Sequence, residues 1–488
     1  MDMLAKRTKI VATIGPASDN PETIRALIEA GTNVFRLNFS HSNPDAARAT
    51  VERICAARES ARRPVAIMAD IKGPAVRMYG YAQKLPLAAG DQLVIESRPP
   101  EGIETLVSTD SNLVYTNLPD VDTLCAIGQR VLLMDGNISG EVVAKSEGNI
   151  TVRIGNAAEL RPKAHLTIPS VDYPIPFLSD KDIRDITFAV ENEVEYLALS
   201  FVRSATDIEE VRRLVQRVKT PSGRRATVKL IAKIESAKGL AASEEILAAA
   251  DGIMVARGDM GVEIAIQAVP MAQKKLIRNG FLAAKPVITA TQMLESMIEA
   301  PIPTRAEASD VANACFDSTS AVMLSGETAI GRFPVKVVET MCDIIRTVEA
   351  EFDYEGFLEH TPEHARSSGL AAMVSYGALS IAYEVKAAGI IVFTESGAAA
   401  QLISRLRPRM PIFAFTRERT VCNQLAMNWG VYPFLFEDSD GSMDVLVPKT
   451  LDRCRQEGVL KKGNVVVIVA GLPLLHKGNT NMIRVETV

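Results

Sequence analysis

Polar residues that are expensive to bury sit at the ends of a series of short apolar runs. Asn33–Phe39 (NVFRLNF) carries Arg36 and Asn38, with Ser40 just beyond. Val65–Ile71 (VAIMADI) ends on Asp70 and Ile71, and Lys72 follows. Tyr196–Val202 (YLALSFV) ends around Ser200 and Arg203, and Lys229–Glu235 (KLIAKIE) ends in Lys233 and Glu235. Gly252–Gly258 (GIMVARG) runs out into Arg257, Gly258 and Asp259. Pro286–Gln292 (PVITATQ) ends in Thr289, Thr291 and Gln292, and Ala321–Glu327 (AVMLSGE) in Ser325 and Glu327. One lysine or glutamate at a strand end reads as a surface ion pair, because such groups are mostly exposed. Seven such clusters point instead to a shared site, because unpaired charge is costly to bury.

The residue types agree on one chemistry. Glu235 and Asp259 could share a hard divalent cation with waters and substrate oxygens. Arg36, Lys72 and Lys233 supply positive charge for a phosphate. Gly258-Asp259-Met260-Gly261 reads as the opening of a short helix, whose free N–H groups suit a carboxylate or phosphate. Together these describe phosphoryl transfer, where catalysis is mostly positioning and charge neutralisation. No Walker motif or kinase-type glycine loop is present, which excludes the familiar nucleotide-binding folds.

The elements that must hold these groups follow from the runs. They are continuous rather than alternating, as expected of parallel strands buried on both faces. With Lys9–Gly15 (KIVATIG) they number eight, and helical segments such as Pro21–Ala30 and Ala205–Lys219 lie between them. A (β/α)8 TIM barrel is therefore expected, with its chemistry at the C-terminal strand ends. The long gap after the third strand calls for an inserted domain. The segment 74–173 looks β-rich, with runs Gln129–Met134 and Ile150–Ile154 and turn signals at Asp135-Gly136-Asn137, Ser139-Gly140 and Glu147-Gly148-Asn149. Placed in a βα loop, it would stand over the active-site face as a lid. From about residue 350 the pattern restarts as Gly389–Thr394, Pro411–Thr416, Gly430–Phe434 and Asn464–Ala470, a C-terminal α/β domain. The barrel would then comprise 1–73 and 174–349, the lid 74–173 and the third domain 350–488.

A chain of 488 residues, 47% hydrophobic and 23% charged, suits a multidomain globular protein. A net charge of −5 without a basic block gives no footprint for nucleic acid or an anionic membrane. The six cysteines are scattered, without CxxC or a Cys/His cluster, and read as buried free thiols in a reducing compartment. The first residues lack the pattern of a signal peptide and no apolar run is long enough to span a membrane, so a cytoplasmic protein is expected.

The strings TKIVATIGPAS, NVFRLNFSHS, KIESAKGL, DGIMVARGDMGVEI, KPVITATQMLESMIEAPIPTRAEASDVANA and AVMLSGETAIG resemble segments of pyruvate kinases, in the same order. The resemblance spans essentially the whole chain and implies transfer of the phosphoryl group of phosphoenolpyruvate to ADP, giving pyruvate and ATP in glycolysis. It implies that Arg36 and Lys233 contact the transferring phosphoryl group and that Glu235 and Asp259 hold Mg²⁺ (or Mn²⁺). The amides of Gly258 and Asp259, with Thr291, would seat the substrate carboxylate. Arg36, Asn38 and Arg77 match nucleotide contacts. Asn38, Ser40, Asp70 and the Ile71 carbonyl match a K⁺ site, and Ser325 and Glu327 lie where the family delivers a proton to C3. Thr394, Glu395, Ser396 and Gly397 resemble a sugar-phosphate effector loop, and the family suggests a homotetramer under allosteric control.

Some positions depart from the family. Ala75 replaces a charged residue in DIKGPAVR, and Lys163–Ser170 (KAHLTIPS) aligns poorly with the segment that carries a nucleotide-contacting lysine. Ala398 stands where an arginine is usual, so the effector is expected to be a sugar monophosphate or nucleotide. His41 and His165 are expected to be satisfied or solvent-facing, since nothing pairs them with a nucleophile. Met293 and Met297 read as core, and Trp429 as packed within the C-terminal domain. Two other readings stay open at this stage. A barrel lyase or aldolase would use Glu235 and Asp259 but leave Lys233, Arg36 and Arg77 without a task. A non-catalytic sensor would be expected to have lost one of the charged groups, and none is lost.

Overall fold

A computed structural model describes residues 6–40, 44–99, 101–108, 110, 112–169, 171–220, 223, 226–366, 368–436, 442–472 and 480–488. His41 and Ser170 lie outside these residues. The eight apolar runs form parallel strands: β1 (Lys9–Ile14), β2 (Val34–Asn38), β3 (Ala66–Ile71), β4 (Tyr196–Leu199), β5 (Lys229–Ile234), β6 (Gly252–Ala256), β7 (Val287–Ala290) and β8 (Ala321–Leu324). Each pairs with its sequence neighbours, and β8 pairs with β1 to close the barrel. All residues of β1, β3, β4, β6, β7 and β8 are buried, as uninterrupted apolar strands require.

Alternate side chains serve two cores. Ile10, Ala12, Phe35, Leu37 and their equivalents pack under the outer helices. Val11, Val34, Met68, Tyr196, Met254 and Met323 fill the lumen, which is a packed interior rather than a pore. Met427, from the C-terminal region, completes this inner cluster. Met293 and Met297 are fully buried in the outer core. The helix Pro21–Ala30 starts where the Asn20 side chain accepts the Thr23 amide hydrogen, and it ends at Gly31 with φ 120°. The expected helix over Ala205–Lys219 runs from Ala205 to Arg217.

The segment after β3 carries a seven-stranded sheet and a separate two-stranded ribbon, with its own core around Leu93, Val114, Val131, Ile150 and Leu166. Gly148, with φ 75°, joins the strands Ile138–Ser146 and Asn149–Ile154. Ser139-Gly140 is not a turn, contrary to the sequence reading, but lies inside the strand Ile138–Ser146. Gly140 is there because a Cβ would come within 2.4 Å of Val152 Cγ1 on the neighbouring strand. The chain leaves the barrel through Gly73, at φ 65°, whose amide donates to the buried Asp182 at 3.0 Å. Asp182 also caps the helix Asp180–Glu191 with Ser179, which fixes the exit of the insert to the barrel's next helix.

The C-terminal sheet contains β9 (Gly389–Phe393), β10 (Ile412–Thr416), β11 (Val431–Leu435), β12 (Val465–Ala470) and β13 (Met482–Thr487), in spatial order 11-10-9-12-13. The last strand is antiparallel and was not anticipated; its half-exposed edge lacks the long apolar run that marks the others. Trp429 packs at the seam with the barrel rather than wholly within the C-terminal domain. Its indole N–H donates to Thr8, and the Arg407 guanidinium lies 5.0 Å from its ring. His165 pairs with Asp135 at 3.1 Å, in keeping with a satisfied side chain. All six cysteines are free thiols, five of them buried. Among the described residues no helix is long and apolar enough to cross a membrane.

Candidate active site

Lys233 is the centre of a charge network at the C-terminal rim of the barrel. Its ammonium donates to Ser200 Oγ at 2.7 Å and lies 2.9 Å from Glu235 Oε1 and 3.3 Å from Asp70 Oδ1. Asp70 also accepts from Arg36 Nε at 2.6 Å, and Arg36 reaches Thr13 Oγ1 at 3.2 Å. The barrel register makes this possible: Arg36 pairs with Met68 and Thr13 across adjacent strands, and Asn38 pairs with Asp70. Burial would lower the pKa of Lys233, but Asp70 and Glu235 overcome it and hold the ammonium charged well above neutral pH. Burial likewise pushes Asp70 up, yet Arg36 and Lys233 bring it below the usual carboxylate range.

Glu235 has the opposite balance. Burial and the nearby charge of Asp259 outweigh Lys233 and push its carboxyl up to about 7. Its Oε2 accepts the Phe201 amide hydrogen at 2.5 Å, and its buried Oε1 is ion-paired with the Lys233 ammonium at 2.9 Å. A buried carboxylate with a second carboxylate close enough to raise its pKa has the donor chemistry of a hard-cation site, because a divalent ion would relieve that repulsion. Glu235 and Asp259 therefore fit Mg²⁺ or Mn²⁺, with remaining positions left to water and substrate. Among the described residues no cluster of three or more His, Cys, Asp or Glu side chains could hold a metal unaided.

The helix Arg257–Glu263 starts one residue before Gly258. The Gly258 amide donates to Thr291 Oγ1 at 2.9 Å, and Thr291 in turn donates to its preceding carbonyl at 2.7 Å. Thr291 and Gln292 both have positive φ, at 67° and 53°. For a β-branched residue that is a strained backbone, of the kind retained at functional sites. Glu327 is buried; its carboxylate accepts the amide hydrogens of Ser325 at 2.7 Å and Leu294 at 3.2 Å. Burial raises its pKa against those hydrogen bonds.

Other expected site residues fall in three places. Asn38 Oδ1 accepts the Ser40 amide at 3.1 Å, and the Ile71 carbonyl accepts Ser200 Oγ at 2.7 Å. With Asp70, these are oxygen donors gathered at the ends of β2 and β3, a donor set that fits K⁺. Arg77 belongs to the insert, where its guanidinium donates to the Lys163 carbonyl at 3.0 Å. Thr394 to Gly397 lie after β9, remote in the fold from the barrel mouth. There Thr394 Oγ1 accepts the Gly397 amide at 3.0 Å and Glu395 pairs with Arg417 at 3.2 Å. Between insert and barrel lies a cavity of about 430 Å³, lined by Ala75, Tyr173, Phe201, Arg203, Lys238 and others.

Thr13 and Phe201 were missed by the sequence reading. A threonine in an apolar run reads as a strand former, although its position at the end of β1 could have placed it in the site. Phe201 acts through its amide and a positive φ of 54°, which no residue type announces.

Fixed cations, a carboxylate pair and a strained turn share one rim of the barrel, the arrangement of an α/β-barrel enzyme suited to an anionic substrate. Comparison with known proteins narrows the class. Residues 5–338 match the family described as pyruvate kinase, barrel domain, and residues 372–486 match pyruvate kinase, alpha/beta domain. The chain is 38% identical over 486 residues to the pyruvate kinase of Sporosarcina psychrophila, covering 99% of this chain and 80% of that one. It is 36% identical to the pyruvate kinase of Clostridium acetobutylicum, covering 99% and 100%. The crystal structure of a pyruvate kinase from Cryptosporidium parvum superposes with a TM-score of 0.91 at 32% identity, covering 100% of this chain and 97% of that one. The chain belongs to the pyruvate kinase family. It is a phosphotransferase whose substrates are phosphoenolpyruvate and ADP.

Proposed function

We propose that Lys233 and Arg36 neutralise the phosphoryl group as it passes from the enol oxygen of phosphoenolpyruvate to the β-phosphate of ADP. The observation that carries this reading is the fixed ammonium of Lys233, held by Asp70, Ser200 and Glu235 before any substrate arrives. A preorganised charge of this kind needs no reorientation at the moment of reaction. Mg²⁺ (or Mn²⁺) held by Glu235 and Asp259 would supply further positive charge to the substrate oxygens. Thr291 and the amides of Gly258 and Asp259 seat the carboxylate, so the substrate must compete with Thr291 Oγ1 for the Gly258 amide. As the P–O bond to the enol oxygen breaks, C3 takes up a proton. Ser325 stands on that path, and Glu327 positions it through its backbone amide. Arg36, Asn38 and Arg77 contact the nucleotide, and the insert acts as a lid over them. A coupled assay for ATP made from phosphoenolpyruvate and ADP, run for the parent and for Lys233→Met, tests the assignment. Loss of turnover with unchanged circular dichroism is expected.

The boundaries we assign are 1–73 and 174–349 for the barrel, 74–173 for the lid and 350–488 for the C-terminal domain. Separate apolar clusters support that division. The loop Thr394–Gly397 is assigned to an anionic effector, a sugar monophosphate or nucleotide, which would compete with Glu395 for Arg417. Ala398 offers no charge for a second phosphate, so fructose 1,6-bisphosphate should bind poorly; tight binding of it in a titration would refute this. A homotetramer in the cytoplasm completes the reading, and light scattering of the purified enzyme tests the oligomer.

A further inference from the structure

Two buried arginines sit at the seam between the barrel and the C-terminal region, and among the described residues no carboxylate pairs with either. Arg405 and Arg407 are each 5% exposed. Arg405 donates to the carbonyls of Ala365 and, weakly, Leu282. Arg407 donates to the carbonyls of Ser404 and Ser318, both at 2.7 Å, and to Ser320 Oγ at 3.2 Å. The Nε atoms of both are buried without a hydrogen-bond partner. Asn428, 3% exposed, likewise has a buried side-chain oxygen with no partner.

All three residues line one cavity of about 20 Å³, together with Lys285, Gln401 and Trp429. Among the described residues no acidic side chain lines it. Lys285 turns its ammonium to the carbonyls of Leu247 and Ala248. Glu349, the acid whose charge reaches Arg407, has its two oxygens taken by the amides of Arg7 and Thr8. Burial pushes Arg407 down to about 9 against the weak pull of Glu349, a sign that its charge is poorly compensated. A cavity of this size holds one water-sized particle and excludes phosphate or any sugar phosphate. Water would satisfy hydrogen bonds but leave two positive charges buried.

We propose that this seam cavity binds a single small monovalent anion of the halide class between Arg405 and Arg407. The amide of Asn428 can turn its N–H₂ toward such an ion, since its two ends differ only in orientation. Residues Lys285 and Ser320 on one side and Gln401 to Trp429 on the other come from different domains. The ion therefore ties the barrel to the C-terminal region.

Trp429 is the chain's only tryptophan and is 4% exposed, so it reports on the site. The probes are sodium chloride, sodium bromide and sodium gluconate at constant ionic strength. Bromide should quench Trp429 in a saturable manner that chloride reverses, and chloride, not gluconate, should raise Tm by a few degrees. Linear, slight quenching and equal Tm in chloride and gluconate would overturn the proposal. Asn428→Asp brings a carboxylate to the arginines and should abolish both responses. Gln401→Glu does the same from the neighbouring helix if Asn428→Asp fails to fold. Responses unchanged in the folded variant would also refute the site. In a crystal of the parent soaked in sodium bromide, an anomalous peak in the cavity supports the site, and an ordered water alone refutes it.

Discussion

Thr291 accepts the amide hydrogen of Gly258 on its hydroxyl oxygen at 2.9 Å while holding a left-handed backbone at φ 67°. The hydroxyl thus links the end of β7 to the start of the helix that carries Asp259. Thr291→Ala removes that link and should lower kcat/KM for phosphoenolpyruvate by about 10- to 100-fold, the loss of one oriented hydrogen bond in the site. Thr291→Ser keeps the oxygen and relieves β-branching, so it should retain most of the activity. Equal losses in steady-state assays of both variants would show that the hydroxyl is unimportant.

Lys233→Met should lower kcat by at least about 10²–10³-fold with Tm close to the parent's. Its removal leaves Asp70 paired with Arg36 and frees Glu235 to hold its cation. Turnover within tenfold of the parent would contradict the assignment.

Metal binding should depend on pH through Glu235. Its carboxyl, raised to about 7 by burial, binds a proton as pH falls, and the proton competes with the cation. Affinity is therefore full above pH 7 and lost below it, by up to about tenfold per pH unit. Mn²⁺ titrations monitored by electron paramagnetic resonance measure this directly. Glu235→Gln and Asp259→Asn should each raise the cation requirement strongly, and Glu235→Gln should flatten the pH dependence.

Gly73→Ala tests the junction between barrel and insert. A Cβ there would lie 2.5 Å from the Ser200 carbonyl, and the backbone is at φ 65°. Displacing Ser200 disturbs the hydroxyl that accepts from Lys233. Stability should fall by about 1–3 kcal/mol, with kcat reduced as well, as read by thermal melts and the coupled assay.

The K⁺ response we propose turns on Ala75, which lines the cavity between insert and barrel and provides no built-in charge. Activity should rise when K⁺ replaces a bulky organic cation at constant ionic strength. Ala75→Lys should weaken that response. Full activity without K⁺ would show that Arg36 and Lys233 already suffice for the substrate charges.

Much of the barrel rim was legible in the sequence because apolar strands buried on both faces leave an unmistakable run, and Lys233, Asp70 and Glu327 interrupt those runs where they end. Backbone devices were not. Phe201 serves Glu235 through its amide, and Gly140 reads as a turn until the neighbouring Val152 is seen against it. Strand β13 escaped because its residues Met482 to Thr487 alternate without a strong apolar face. The pairing of Arg36 with Asp70 depends on strand register, which the residue order does not display.

Met427 carries a consequence for how this chain can be cut. The side chain lies inside the barrel's inner cluster, and Tyr196 at the barrel's floor donates its hydroxyl hydrogen to the Gln424 carbonyl. Glu195 beside it accepts from Asn423. The eight strands thus borrow their bottom stopper from sequence more than a domain away. A gene fragment ending near residue 349 would encode a barrel with an unplugged base, whereas deleting the insert would remove a self-contained core. The barrel's inner packing is therefore independent of what stands at its top and dependent on what closes its bottom.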